Sequence, residues 1–371
     1  MKRLLICFLA LALLLPLALP CSAEAVSVSA KSAVLMDAST GQVLYQKNAF
    51  VRLPMASTTK IMTAIVALET CSLETEIEVA PKATGIEGSS IYLYPNERIT
   101  MESLLYALLL ESANDAATAI ALAVSGSVEA FASEMNKKAA ELGLCNTHFE
   151  NPHGLDGKEH YTTAYDLAKL TAYALANPAF SKICSTYKKN IPLNGDEGVR
   201  VLVNHNKMLH LYEGAIGVKT GFTKKSGRCL VSAAEREGLR LIAVTLSAPN
   251  DWRDHTDLLD FGFSRYTRVI CAEKQRYEVT LPVVGGTAQT VTAVNAEELA
   301  ATLGKEHEEI TCLVEAPHFL YAPICKGDAV GRLTFFCGKK EIASCDLVAS
   351  EDVPRASRGG FLARVFSIFK K

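Results

Sequence analysis

Strand-type segments at both ends of the first 250 residues limit this fold more than any other feature. "SAVLMDASTGQVLYQKN", residues 32–48, reads as two strands joined by a turn at Asp37 to Gly41. Between Ala215 and Ser247 the runs "AIGVKTGFT", "RCLVSAAE" and "LRLIAVTLS" follow one another through tight connections such as Glu237-Gly238, the pattern of an antiparallel meander. Helical segments fill the interval. An apolar run from Ile61 to Leu68 comes first, and "MESLLYALLLE" and "DAATAIALAV" then occupy about Met101 to Val124. The break "NPHGLDGKEHYTTAYDL" ends in Thr163 and Asp166, a helix start resembling a capping box. Helices enclosed between a hairpin and a meander predict one sheet built from both chain ends, in a mixed α/β domain.

The rest of the chain divides by composition. The 371 residues have room for roughly two domains. From about Arg276 to Val353, short β segments with Gly and Pro turns, such as "YEVTLPVV" and "GRLTFFCG", predict a small β-rich domain, bounded here as 271–353 after a main domain of 26–270. At the start, Lys2 and Arg3 precede an apolar run from Leu4 to Leu19 and then "PCSAEA". That order reads as a signal peptide, residues 1–23, with cleavage after Ala23 or Ala25, and so places the protein outside the cytoplasm. The run is short for a membrane span, and Pro20 is a poor neighbour for a lipidated Cys21. At the other end, residues 354–371, "PRASRGGFLARVFSIFKK", contain no acid. On a helix Phe361, Leu362, Val365, Phe366 and Phe369 share one side, with Arg364, Ser367 and Lys371 opposite, which suits an anionic membrane surface better than a helix docked on the protein itself.

Charge and cysteine content remove other classes. A net charge of −2 argues against a nucleic-acid binder. Of eleven cysteines, Cys7 and Cys21 fall in the leader; the other nine are scattered, with no Cys-x-x-Cys, and predict no disulfide framework but mostly buried free thiols. No His-Glu-x-x-His or other metal spacing is present, so neither metal nor cofactor is expected.

Three short motifs carry the chemistry. "MASTTKIMTA" places Ser57 three residues before Lys60 at a helix start, so that both share a face and the amine can reach the hydroxyl. Alone the spacing means little, since Ser185 and Lys188 repeat it. Ser112-Ala113-Asn114 interrupts two apolar helices, and Lys219-Thr220-Gly221 lies within a strand-like run. In this order and on these elements, the motifs resemble the penicillin-recognising serine acyl-transferase superfamily. With "TGQVLYQKN", "NPHGLD…YTTAYDLA", "VKTGFT" and "LLDFGF", the chain resembles more closely a low-molecular-mass penicillin-binding protein, a serine-type D-alanyl-D-alanine carboxypeptidase.

That resemblance implies an α+β fold of the serine β-lactamase/DD-peptidase type. Its antiparallel sheet would carry helices on both faces and a helical subdomain, followed by the β-rich domain and an amphipathic helix. It implies that Ser57 attacks as nucleophile with Lys60 as base, and that Lys219, brought close by the fold, helps keep Lys60 neutral. Backbone N–H groups of Ser57 and Phe222 would form the oxyanion hole, Ser112 would relay a proton to the leaving D-alanine, and Asn114 would hold the peptide and Lys60. Lys219 and Thr220 would bind the terminal carboxylate, with Gly221 letting a peptide lie along the strand. Expected partners are peptidoglycan stem peptides, β-lactams as inhibitors, and the membrane surface. Arg253 lies near but not at the offset of the family's carboxylate-binding arginine; Trp252 is expected to pack and His153 to stabilise a turn.

Rival readings are a β-lactamase, a crosslink-cutting endopeptidase, and a silent scaffold or β-lactam sensor. No Glu-x-x-x-Asn segment for hydrolytic water lies between Ser112 and Lys219, and no motif of the constellation is missing.

Overall fold

The structure, a computed structural model, describes residues 26–194 and 198–356. The leader (1–23) and nearly all of the basic tail lie outside the described residues.

The two ends meet as the sequence predicts. The main sheet has five antiparallel strands, ordered Val43–Lys47, Ser32–Asp37, Leu239–Leu246, Gly227–Arg236, Ala215–Thr223. Its seam pairs Ser32–Asp37 with Leu239–Leu246 in a register running from Ser32↔Leu246 to Asp37↔Leu241. Period-2 alternation sends Val34 and Met36 to one core and Ala33 and Leu35 to another. Both faces are therefore covered. Helices Lys60–Thr70, Met101–Leu110, Asn114–Ser125 and Ala164–Ala176 pack with one core, and Asp251–Arg265 closes the other. Gly262 is where that last helix meets the sheet: a Cβ there would lie 2.4 Å from Leu241 Cδ1.

Asp254, on the same helix, locks the start of the described chain. Its buried carboxylate accepts hydrogen bonds from Ser29 N (2.8 Å), Ser29 Oγ (2.8 Å) and Ala30 N (3.0 Å). The capping box at Thr163 is only half formed. Thr163 Oγ1 accepts from Asp166 N at 3.0 Å, but the Asp166 carboxylate turns away to Asn146 N and Thr147 Oγ1.

Strand Tyr266–Ala272 leads into the β-rich unit, where it pairs with Leu299–Gly304. A six-stranded sheet follows, with its own core around Leu333 and Leu347. The Asp37 carboxylate joins the two units: it binds Ser39 N and Thr40 Oγ1 in its own turn and accepts a hydrogen bond from Thr302.

The cysteines depart from expectation. All nine described are free, but only Cys184, Cys229 and Cys345 are buried, while Cys145, Cys312 and Cys325 are exposed. Cys312 sits on Ile310–Glu315, a sheet-edge strand with no fully buried position, where its Sγ lies 3.3 Å from the Tyr277 hydroxyl at the margin of the core. Among the described residues, no single helix is long and apolar enough to cross a membrane.

Replacing Asp254 with Ala removes the acceptor of three donors: Ala30 N, which is buried, and the N and Oγ of Ser29, which is exposed to water. The expected loss is about 1–3 kcal/mol of unfolding free energy, most of it from the buried Ala30 N–H, measurable by urea denaturation.

Candidate active site

The turn that carries Ser57 is shaped by its neighbours. Residues Ala56–Thr59 form a 3-10 turn that runs directly into helix Lys60–Thr70. Ala56 enters it with φ 48°, a left-handed conformation that costs a residue with a Cβ about 1–2 kcal/mol. Hydroxyls brace it: Thr58 Oγ1 donates to Met55 O (2.6 Å) and Thr59 Oγ1 to Ala56 O (2.8 Å).

Lys60 is wholly buried, and its Nζ has three neighbours: Ser57 Oγ at 3.1 Å, Asn114 Oδ1 at 2.7 Å and His153 O at 2.6 Å. Burial, then the charge of Lys219, pushes its pKa well below the ordinary lysine value, and Asp115 only partly opposes this. A neutral amine has two hydrogens and one lone pair. Asn114 Oδ1 and His153 O can only accept, so they take both hydrogens and leave the lone pair for the Ser57 hydroxyl. The Asn114 orientation agrees, because its Nδ2 donates to Glu87 O at 2.5 Å.

Asn114 begins a helix after a sharp connection in which buried Ser112 adopts φ 58°. The next residue, Asp115, fixes segment 87–93 by accepting from Ser90 Oγ (2.6 Å), Ile91 N (3.3 Å) and Leu93 N (3.0 Å).

Lys219, Thr220 and Gly221 lie on the edge strand Ala215–Thr223. Burial lowers the Lys219 pKa to about 7, and its Nζ donates to Thr220 O at 2.8 Å. Gly221 presses on the serine turn: a Cβ would sit 3.0 Å from Ser57 N and 3.1 Å from Thr58 N. Phe222, the next residue, has its side chain 65% exposed. The fold thus gathers Ser57, Lys60, Asn114, Lys219 and Gly221.

Other candidates stand apart. Arg253 spends its guanidinium on Asp257, at 2.8 Å, on the exposed face of its helix. Trp252 packs against the second core beneath Arg228. Ser185 donates to Lys182 O at an exposed helix end. His153 supports its turn as expected, its Nδ1 accepting from Leu155 N at 3.3 Å.

Sequence reasoning missed several participants. The His153 carbonyl is one, and a backbone atom has no residue signature. Gly154 is another: with φ 89°, a Cβ there would lie 2.0 Å from Ala56 O and 2.9 Å from Ser57 N. The left-handed glycine in "NPHGLD" was its only available signal. His160 also contacts the turn, with Nε2 2.8 Å from Thr59 Oγ1. No group of His, Cys, Asp and Glu suited to a metal ion occurs among the described residues.

Comparison with known proteins agrees with this geometry. Residues 20–250 match the family model of D-alanyl-D-alanine carboxypeptidases, and residues 267–355 that of the penicillin-binding protein 5 C-terminal domain. D-alanyl-D-alanine carboxypeptidase DacF of Bacillus subtilis (strain 168) is 34% identical over 352 residues, covering 92% of this chain and 90% of that protein. DacC of Escherichia coli (strain K12) is 33% identical over 361 residues, covering 92% of this chain and 88% of that protein. The crystal structure of penicillin binding protein 5 from Haemophilus influenzae superposes with a TM-score of 0.76 at 28% identity, over 89% of this chain and 98% of that one. The chain belongs to the D-alanyl-D-alanine carboxypeptidase family.

Proposed function

We propose that Ser57 removes the terminal D-alanine of peptidoglycan pentapeptide stems through an acyl-enzyme, with Lys60 as its base. The observation that carries this is the placement of the buried Lys60 amine, 3.1 Å from Ser57 Oγ with the carbonyl oxygens of Asn114 and His153 as its other neighbours. The Ser57 Oγ forms a bond to the carbonyl carbon of the penultimate D-alanine, and its proton passes to Lys60. Charge developing on the carbonyl oxygen is met by the N–H groups of Ser57 and Phe222. The C–N bond breaks as Ser112 relays the proton from Lys60 to the departing amine, and water then hydrolyses the ester, which frees the shortened stem as its carboxylate and restores the Ser57 hydroxyl. Lys219 and Thr220 hold the substrate carboxylate, Asn114 holds the stem and Lys60, and Gly221 lets the peptide lie along the strand edge. A β-lactam enters by the same attack, but its leaving nitrogen stays tethered and the acyl-enzyme clears slowly.

Several features support a place at the outer face of the cytoplasmic membrane: a signal-like leader (1–23), a catalytic unit of 26–270, a β-rich unit of 271–353 and a basic aromatic tail from 354. We assign the tail to membrane-surface attachment on its acid-free amphipathic composition. Deleting residues 357–371 is expected to move the protein from the membrane pellet to the soluble fraction.

Labelling with a fluorescent penicillin, and D-alanine release from a D-Ala-D-Ala stem peptide, should both vanish in Ser57→Ala and persist in Ser185→Ala. Labelling without release would favour an endopeptidase instead.

The lysines set the pH profile. Lys60 must be neutral to accept a proton, so acylation rises as pH climbs through its lowered pKa. Lys219 must be charged to hold a carboxylate, so binding weakens as pH rises past about 7, a limit that the bound anion moves upward. The kcat/KM profile is therefore expected to be bell-shaped, with the alkaline limb appearing in KM and not in kcat. A plateau through pH 10 would remove Lys219 from carboxylate binding.

A further inference from the structure

Behind the serine turn, the hydrogen bonds run in one direction. His160 is buried and contacts two groups: its Nδ1 lies 3.0 Å from the Glu150 amide N, and its Nε2 lies 2.8 Å from Thr59 Oγ1. The amide can only donate, so Nδ1 accepts. Thr59 gives its one hydroxyl hydrogen to Ala56 O at 2.8 Å, so Nε2 must donate to it. The ring is thereby fixed as the neutral Nε2–H tautomer, and burial, which lowers the His160 pKa to about 4, keeps it neutral at physiological pH.

The chain ends on a particular peptide unit. The Ala56 carbonyl and the Ser57 N–H belong to one rigid plane, so whatever holds the oxygen also aims the hydrogen. Gly154 bears on that same peptide unit, where a Cβ would reach 2.0 Å from Ala56 O and 2.4 Å from Ala56 C. Ala56 sits at φ 48°, a conformation that persists only where its surroundings hold it. A hydrogen bond received by a peptide carbonyl also polarises the N–H at the other end of the unit.

We propose that His160 is a positioning residue for the oxyanion hole: through Thr59 it fixes the Ala56–Ser57 peptide and aims the Ser57 N–H at the oxygen that gains charge. The inference rests on Ser57 as the nucleophile. It assigns His160 no contact with substrate and no proton transfer.

Single-turnover acylation by a fluorescent penicillin tests it in the full-length protein and in Thr59→Val, Thr59→Ser, His160→Ala and the Thr59→Val/His160→Ala double variant. Loss of an entire oxyanion donor costs about 10²–10³ in rate, so a misaimed one is expected to slow saturating acylation by about tenfold to a hundredfold. The dissociation constant of the complex before acylation should stay unchanged. Thr59→Ser keeps the hydroxyl and should restore the rate, while the double variant should be no slower than the slower single one. Thr59→Val acylating at the wild-type rate, additive losses in the double variant, or a loss confined to the dissociation constant would each overturn the proposal. If His160→Ala does not fold, Thr59→Val against Thr59→Ser decides it. Folded wild-type protein that takes no label would instead overturn the nucleophile assignment, and with it this one.

Discussion

Everything in the catalytic region is arranged around one buried amine. A lysine withdrawn from water is costly as a cation, and the cheaper state is the neutral base. Lys60 is in that position, with no exposed surface and a second buried lysine close enough for its charge to act on it. Its partners come from separate parts of the chain: Asn114 from a helix start, His153 from a turn-rich loop, Ser57 from the preceding turn. The site is therefore a product of tertiary packing, and the three-residue spacing supplies only its first contact.

The double-faced sheet makes that packing possible. Because Ser32–Asp37 and Leu239–Leu246 are buried on both sides, one core can hold the helix of Lys60 while the other is closed by Asp251–Arg265. The edge strand with Lys219 is carried on this frame through Gly227–Arg236. Small displacements of the frame would alter the separation of the two lysines, on which the lowered pKa of Lys60 partly depends.

What the sequence disclosed followed from residue type. The hairpin of residues 32–48 with its turn at Asp37, the meander from Ala215 and the glycine after Lys219-Thr220 all use residues chosen for backbone or side-chain reasons, so pattern and structure coincide. What it hid followed from atoms common to every residue. The His153 carbonyl and the Ala56 peptide plane have no sequence signature, and the roles of Gly154 and His160 depend on which backbone they meet. The Thr163 box shows the same limit: the spacing foretold the Thr163 cap, but tertiary donors at Asn146 and Thr147 claimed the Asp166 carboxylate. Cysteine burial failed because Cys145 and Cys325 fall outside regular elements and Cys312 lies on an edge strand with no fully buried position.

An exposed sheet edge is ordinarily a hazard, since its free N–H and C=O groups invite pairing with other chains. Here the Ala56–Thr59 turn lies against the edge strand at Gly221, where the absent side chain leaves room for the Ser57 amide, which a Cβ would approach to 3.0 Å. The turn thus covers part of the edge, and the strand continues beyond it through exposed Phe222. A peptide adding to the remaining edge would be guided toward Ser57 by the main-chain pairing itself, with the buried ammonium of Lys219 favouring a chain that ends in a carboxylate. With Ser57 and Lys219 in the roles proposed above, the edge that would promote aggregation in another fold would become selective, because the serine turn and the buried lysine would decide which chains can use it.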